Sequence, residues 1–204
     1  NNETYIVEMS FDDTINLNDE NQEWGINFWP YRDYSGNITE FETDNTNTFA
    51  VYTDNLGNYI PLINNTSIKI LNFNNIPLSK QGRQFSGFQG SIDTVMTDIP
   101  IIRQNTSGNN MFSNILNQNI KIDNWNLENI IDTSYMFSGN TLFNYDVSSW
   151  NFENTTDSSY MFYNCINWNG SGLSNWSSKM LKNSTNTSYM FGNCNNLGHN
   201  ISLE

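Results

Sequence analysis

Two periods of apolar spacing divide this chain. In the first eighty residues apolar and polar positions alternate. Tyr5, Val7, Met9 and Phe11 fall on one side of a strand, and Ile6, Glu8 and Ser10 on the other, as expected of β-structure with one buried face. The runs 48–53 and 59–63 flank Asp54-Asn55-Leu56-Gly57-Asn58, a hairpin signal with Gly57 available for positive φ. Residues 67–73 continue the alternation through Ile68 and Ile70. The aromatic run from Trp24 to Trp29 ends at Pro30, which suits an edge or a strand end. Residues 1–80 are therefore expected to form a β-rich, sandwich-like module of about four to six strands, with Trp24 and Trp29 in its core.

From about residue 105 the period changes. Tyr135-Met136-Phe137, Tyr160-Met161-Phe162 and Tyr189-Met190-Phe191 recur, preceded by the degenerate copy Asn110-Met111-Phe112. The methionines lie 25, 25 and 29 residues apart, and a second marker, Trp125, Trp150 and Trp176, keeps step at 25 and 26. Two markers in phase signal a repeat architecture. Phe85-Ser86-Gly87 echoes Phe137-Ser138-Gly139 and reads as a worn first copy, with residues 92–96 as its strand and 76–84 as the junction. Terminal repeats are expected to be atypical. At the far end residues 200–204 begin another copy, with Glu204 where the next tryptophan is due, so the chain is expected to break off inside a repeat.

Each repeat has two parts. The segments 120–125, 145–150 and 171–176 alternate, which predicts short strands with Ile120, Ile122, Tyr145 and Val147 facing in. Further on, Ile130, Thr133, Met136 and Phe137 share one face of a helix. Asp132, Asp157 and Asn186 suit N-caps, and Gly139 or Asn164 an αL stop. The expected fold is thus α+β and repetitive: a short leucine-rich-repeat-like solenoid with a strand plus a short helix per coil of about 25 residues. About four coils would occupy residues 81–204, capped by the N-terminal β-rich module. No coil can bury its apolar face alone; stacking at about 4.8 Å buries it.

Composition narrows the function. Among 204 residues the net charge is −13 and only 8 are Lys or Arg, so the chain lacks the basic footprint that nucleic acid requires. The same balance disfavours an electrostatic bond to anionic membranes, and no apolar run approaches the length of a membrane span. Asparagine is the commonest residue at 39, and its amides can form stacked ladders in repeats; codon bias is the plainer and compatible source. Eleven Asn-x-Ser/Thr sequons occur, including those at Asn37, Asn105 and Asn175, a weak sign in a chain so rich in these residues.

Chemistry-bearing constellations are scarce. The acidic stretch Asp12 to Glu20 offers oxygen ligands for calcium but lacks the sixth-position Gly and closing Glu of an EF-hand loop, so a solvated loop is favoured. The one histidine, His199, has no partners that make a triad or a metal site. No paired inward carboxylates repeat, although a glycosidase pair in the N-terminal module stays open. No cofactor, metal or catalytic residue is assigned, and the chain is expected not to be an enzyme. Cys165 and Cys194 occupy one position in successive coils, within disulfide reach; buried free thiols are the preferred reading.

The repeat residues closely resemble the BspA-like leucine-rich-repeat surface proteins, also described as a mycoplasma repeat of unknown function. Phe143-Asn144-Tyr145-Asp146-Val147-Ser148-Ser149-Trp150, followed by Met161-Phe162, carries the motif, and the resemblance covers about residues 85–204. It implies a right-handed solenoid on a bacterial cell surface, on mollicute lipoproteins, or in viruses and protists that share the repeat. It also implies adhesion and binding of host proteins. The chain departs from the motif at Thr155, Ser158, Ser184 and Thr187, where the family has Val and Met, so this core is more polar and needs hydrogen-bond partners.

The surface remains as the place of function. Outward strand positions include Asn119, Lys121 and Asp123 in one coil and Asn144 and Asp146 in the next. Such a stacked face is either an extended binding surface or simply solvated. Tyr163 and Trp168 lie in return turns, as exposed aromatic anchors or as core plugs. The expected function is a non-enzymatic cell-surface or secreted binding protein, an adhesin for a host extracellular protein or glycan, held by a lipid anchor upstream of Asn1 if anchored at all. The alternative is a spacer segment of a longer surface or virion protein.

Overall fold

The computed structural model describes residues 77–93, 99–118, 120–176 and 180–198, with shorter pieces at 26–27, 31–32, 38–40, 48–49, 51–53, 59–61, 69–70 and 73. Strands among them are two or three residues long and pair only in twos. β1 (Ile26–Asn27) lies parallel to β4 (Thr48–Phe49), and β2 (Tyr31–Arg32) antiparallel to β3 (Ile38–Glu40). β5 (Val51–Thr53) and β6 (Tyr59–Pro61) form the hairpin expected around Gly57, with Tyr52 opposite Ile60. β7 (Lys69–Ile70) runs parallel to β8 (Ser91–Ile92). The alternation at residues 5–11, the acidic stretch 12–20, Trp24, Trp29 and His199 lie outside the described residues.

From residue 83 onward short turns are laid one on another. Phe85, Phe112, Phe137, Phe162 and Phe191 stack ring on ring, with centroids 5.4, 5.4, 5.4 and 5.7 Å apart and planes within 9° of parallel. Backbone hydrogen bonds follow the same column. The N–H of Phe112 donates to Met136 O at 2.9 Å, that of Phe137 to Met161 O at 2.8 Å, and that of Phe162 to Met190 O at 2.8 Å. Their neighbours join in: Tyr135 donates to Ser159 O at 3.0 Å and Gly139 to Tyr163 O at 2.8 Å. The tryptophans line the column, Trp150 parallel to Phe137 at 5.1 Å and Trp125 beside Phe112 at 5.5 Å.

These bonds overturn the expected leucine-rich-repeat-like solenoid of strand plus short helix. No α-helix forms among the described residues. Where a helix was expected there is a strand, β10 (Ile130–Asp132), parallel to β9 (Thr106–Ser107), followed by tight turns. The reason is local. A helix needs each N–H to turn back on its own chain four residues earlier, but those of Tyr135, Phe137 and Gly139 are committed to the next turn. Two left-handed residues per turn aim them there: Tyr135 (φ 56°) and Gly139 (φ 79°), Tyr160 (56°) and Asn164 (63°), Tyr189 (54°) and Asn193 (59°). Asp132, Asp157 and Asn186 still act as caps, each accepting the N–H two residues on (2.8, 2.8 and 3.1 Å), but they initiate a turn and not a helix.

The expected strands fare likewise. Residues 145–147 join no ladder and 148–149 form a turn, Ile120 makes only a single bridge to Ile92, and Leu173–Asn175 is one 3-10 turn. Their inward residues are nonetheless buried, Ile120, Ile122, Val147 and Leu173 at 3% exposure or less, so the apolar pattern governs burial even where backbone pairing fails.

Asparagine side chains clamp the turns in the opposite direction to the backbone. Asn129, Asn154 and Asn183 donate from Nδ2 to Ile102 O, Glu128 O and Glu153 O, at 2.8, 3.0 and 2.7 Å. Asn167 and Asn196 repeat the device on Thr141 O and Asn167 O. Asn140 does it inside the core, donating to Phe112 O at 2.8 Å and accepting the Ile115 N–H at 2.6 Å. The polar departures in the core also find partners. Thr155 donates to Ile130 O at 3.1 Å, and Ser158 Oγ lies 3.2 Å from both Thr133 Oγ1 and Ser184 Oγ.

Asn140→Ala is expected to lower the unfolding free energy by about 2–4 kcal/mol, because it leaves a buried carbonyl and a buried N–H without partners. Asn154→Ala, at an exposed clamp, should cost about 0.5–1 kcal/mol. Urea denaturation followed by tryptophan fluorescence compares the two; equal losses would mean that the buried amide has no special role.

Candidate functional site

The outward positions singled out in the sequence are exposed where they are described, but their polar groups are largely occupied. Lys121 and Asp123 stand on one turn and Asn144 and Asp146 on the next, while Asn119 lies outside the described residues. Lys121 is ion-paired with Asp93 of the preceding turn. Asp146 accepts the Ser148 N–H at 2.8 Å, which holds its carboxyl below the usual carboxylate range. Gly172 of the following turn packs on that carboxylate so closely that a Cβ would collide with Asp146 Oδ1. Ser149 Oγ donates to Asp123 O at 2.6 Å. The structure brings these residues into adjacent turns, which Lys121 joins through Asp93 and Asp123 through its backbone carbonyl, while the Asp146 carboxylate bonds within its own turn.

Of the two readings open for Trp168, the anchor is the one the structure overturns. The tryptophan is fully buried, with ring centroids 4.5 Å from Phe162 and 5.1 Å from Phe143, because its turn folds back over the phenylalanine column; it plugs the core and is no anchor. Tyr163 is half-buried. It meets Tyr160 edge to face at 5.3 Å, and its hydroxyl lies 3.2 Å from Asn193 Nδ2.

That contact leads to the surface feature missed in the sequence. Tyr135, Tyr160 and Tyr189 stack on one another on the outside of the turns, with centroids 4.7 and 5.0 Å apart and interplanar angles of 3° and 20°. Tyr135 is 37% exposed and Tyr189 66%. The inner ring faces cover each other, so the surface shows ring edges with their hydroxyls. Each tyrosine occupies a left-handed position that glycine or asparagine fills at little cost; Asn110 (φ 54°) does so in the degenerate copy. The Tyr160 hydroxyl is pushed above its ordinary value by desolvation first and then by Tyr135, Tyr189 and Tyr163. The signal was present in the text: Tyr135 falls off the face shared by Ile130, Thr133 and Met136, and recurs at the same place in three copies.

Asp132 and Asp157 open the turns that carry Tyr135 and Tyr160. In Asp157 burial works to raise the carboxyl, but hydrogen bonds from Ser159 and Asn186 outweigh it and hold the group below its ordinary value. The Asp157 carboxyl, three residues before Tyr160, is therefore ionised at neutral pH. Among the described residues no group of three or more His, Cys, Asp or Glu could hold a metal, and no helix is long and apolar enough to cross a membrane.

Cys165 and Cys194 are buried free thiols, which donate to Phe137 O and Phe162 O at 3.3 and 3.0 Å. Burial, with Cys194 close by, raises the Cys165 thiol, and burial pushes Cys194 up to about 11. Neither is a thiolate nucleophile at neutral pH. Iodoacetamide at pH 8 is expected to leave both unmodified in the folded chain and to modify both in denaturant. Intact mass reads the result, and an adduct on the folded chain would place a thiol at the surface.

Nothing among curated proteins and nothing among solved structures matches the chain. The family model described as Mycoplasma protein of unknown function, DUF285, matches residues 101–203, which hold the whole tyrosine ladder and both thiols, and the chain belongs to that family.

Proposed function

We propose that this chain is a non-enzymatic binding protein of the cell surface or the secreted space, an adhesin that holds a host protein or glycan. The observation that carries the reading is the exposed tyrosine ladder. Aromatic side chains with a polar tip supply much contact area at low entropy cost and are favoured at interaction hot spots. Here three of them are lined up by turns whose hydrogen bonding fixes their spacing. The kinship with BspA-like surface proteins suggested by the repeat motif supports the compartment and the adhesive role. The face of Lys121, Asp123, Asn144 and Asp146 is the weaker candidate, because the Lys121 ammonium is held by Asp93 and the Asp146 carboxylate by the Ser148 N–H.

Beads coated with the whole chain are expected to adhere to host cells and extracellular matrix. The triple variant Tyr135→Asn, Tyr160→Asn, Tyr189→Asn should lose about tenfold or more of that binding, the scale of a lost hot spot. Its fold should survive, since Asn110 already occupies this place in one turn. Adhesion undiminished in the triple variant would move the site off the ladder, and no adhesion by the parent chain would favour a spacer.

A further inference from the structure

We infer that the ladder of Tyr135, Tyr160 and Tyr189 binds a neutral, extended polysaccharide, one sugar ring to each rung. The inference rests on the adhesin reading and narrows its ligand from protein or glycan to one class. Four observations carry it.

The first is that the tyrosines sit where tyrosine is disfavoured. A side chain in the left-handed region costs about 1–2 kcal/mol, and three successive turns bear it at φ 54–56°. The second is periodicity. Rings repeat at 4.7 and 5.0 Å in near-parallel planes, so a ligand lying along the column must repeat at that interval. An extended peptide presents same-side groups about every 6.6 Å and falls out of step after one rung, and a polyproline helix turns about every 9 Å, so it meets only alternate rungs. A β-linked pyranose chain, in which each residue advances by about one rung, places a sugar at every rung, with successive sugars presenting opposite faces.

The third observation is chemical. With the inner faces stacked, the ladder offers a row of phenol hydroxyls and electropositive ring edges, which suit the many hydroxyl and ring oxygens of a sugar chain. Asn193, four residues after Tyr189, is held by its bonds to Tyr163 and Asn164 at 3.2 and 2.9 Å and adds a fixed amide to the last described turn. The fourth is charge. The chain carries −13, and Asp132 and Asp157 lie three residues before two of the rungs, so sulfated and carboxylated glycans are repelled.

The test is isothermal titration calorimetry on the whole chain with cellohexaose and chitohexaose, their disaccharides, a sulfated hexasaccharide, and a panel of matrix proteins. At least one neutral hexasaccharide is expected to bind. It should bind at least tenfold more tightly than its disaccharide, because a ladder rewards length. The triple Tyr→Asn variant should lose at least tenfold in affinity, while circular dichroism and the melting temperature show an intact fold. The Asp123→Ala, Asn144→Ala variant should bind as the parent does.

Failure to bind any neutral hexasaccharide overturns the inference, as does a disaccharide bound as well as the hexasaccharide, preference for the sulfated sugar, or full affinity in a folded triple variant. If, in those cases, a matrix protein binds through the ladder, the adhesin reading stands without the glycan. If no sugar and no protein binds, both fall.

Discussion

The structure depends on one kind of bond: a backbone N–H that is answered about 25 residues later rather than within its own segment. Phe112, Phe137 and Phe162 each donate to the carbonyl of the next turn's methionine. An unpaired buried peptide group costs about as much as a lost hydrogen bond, so each turn is defined by the one laid on it. This requirement sets the two left-handed residues per turn, the ring-on-ring order of the phenylalanines, and the use of asparagine as a clamp. The composition has the same explanation. Short amides that donate to a carbonyl one turn back are wanted repeatedly, and the sequons at Asn154 and Asn183 lie on such clamps, so they do a structural job.

How legible this was depended on what carried the information. Burial was legible, because Ile130, Thr133, Met136 and Phe137 are all at zero exposure, as their spacing indicates. The backbone was not. A side-chain period reports which residues face inward, and both a short helix and a tight turn can bring these four residues to one side. The decision lay in Tyr135 and Gly139 taking positive φ, which no apolar pattern encodes for a tyrosine. The caps were legible as caps, since Asp and Asn with a following N–H initiate turns as readily as helices. Over the first eighty residues alternation located the hairpin at 51–61, because a local turn signal stood beside it.

The candidate site was less legible, and for a related reason. Assigning outward positions by strand alternation led to Lys121, Asp123, Asn144 and Asp146, which are outward, with Lys121 and Asp146 already engaged by Asp93 and Ser148. Trp168 was open to both readings because a tryptophan in a return turn has no period of its own; its burial follows from how far the turn folds back over Phe162. The ladder was hidden because its tyrosines lie next to the repeat's marker residues and were absorbed into the marker. What separates them is that Met136 and Phe137 point into the column while Tyr135, one residue earlier and left-handed, stands outside it.

A periodic fold constrains function in a way that a single pocket does not. Each rung offers a small surface, and one exposed ring edge with its hydroxyl contributes little against the loss of translational freedom on binding. Rungs held in fixed register by a hydrogen-bonded backbone act together, because once one is engaged the next meets its ligand at high effective concentration. That gain is realised only by a ligand whose own repeat matches the spacing. On the proposed reading the cross-turn bonds that stabilise the column also set its selectivity: the distance between turns is fixed by backbone chemistry, and the surface side chains inherit it. A change in turn spacing, even one that left every tyrosine in place, would alter what the ladder can hold.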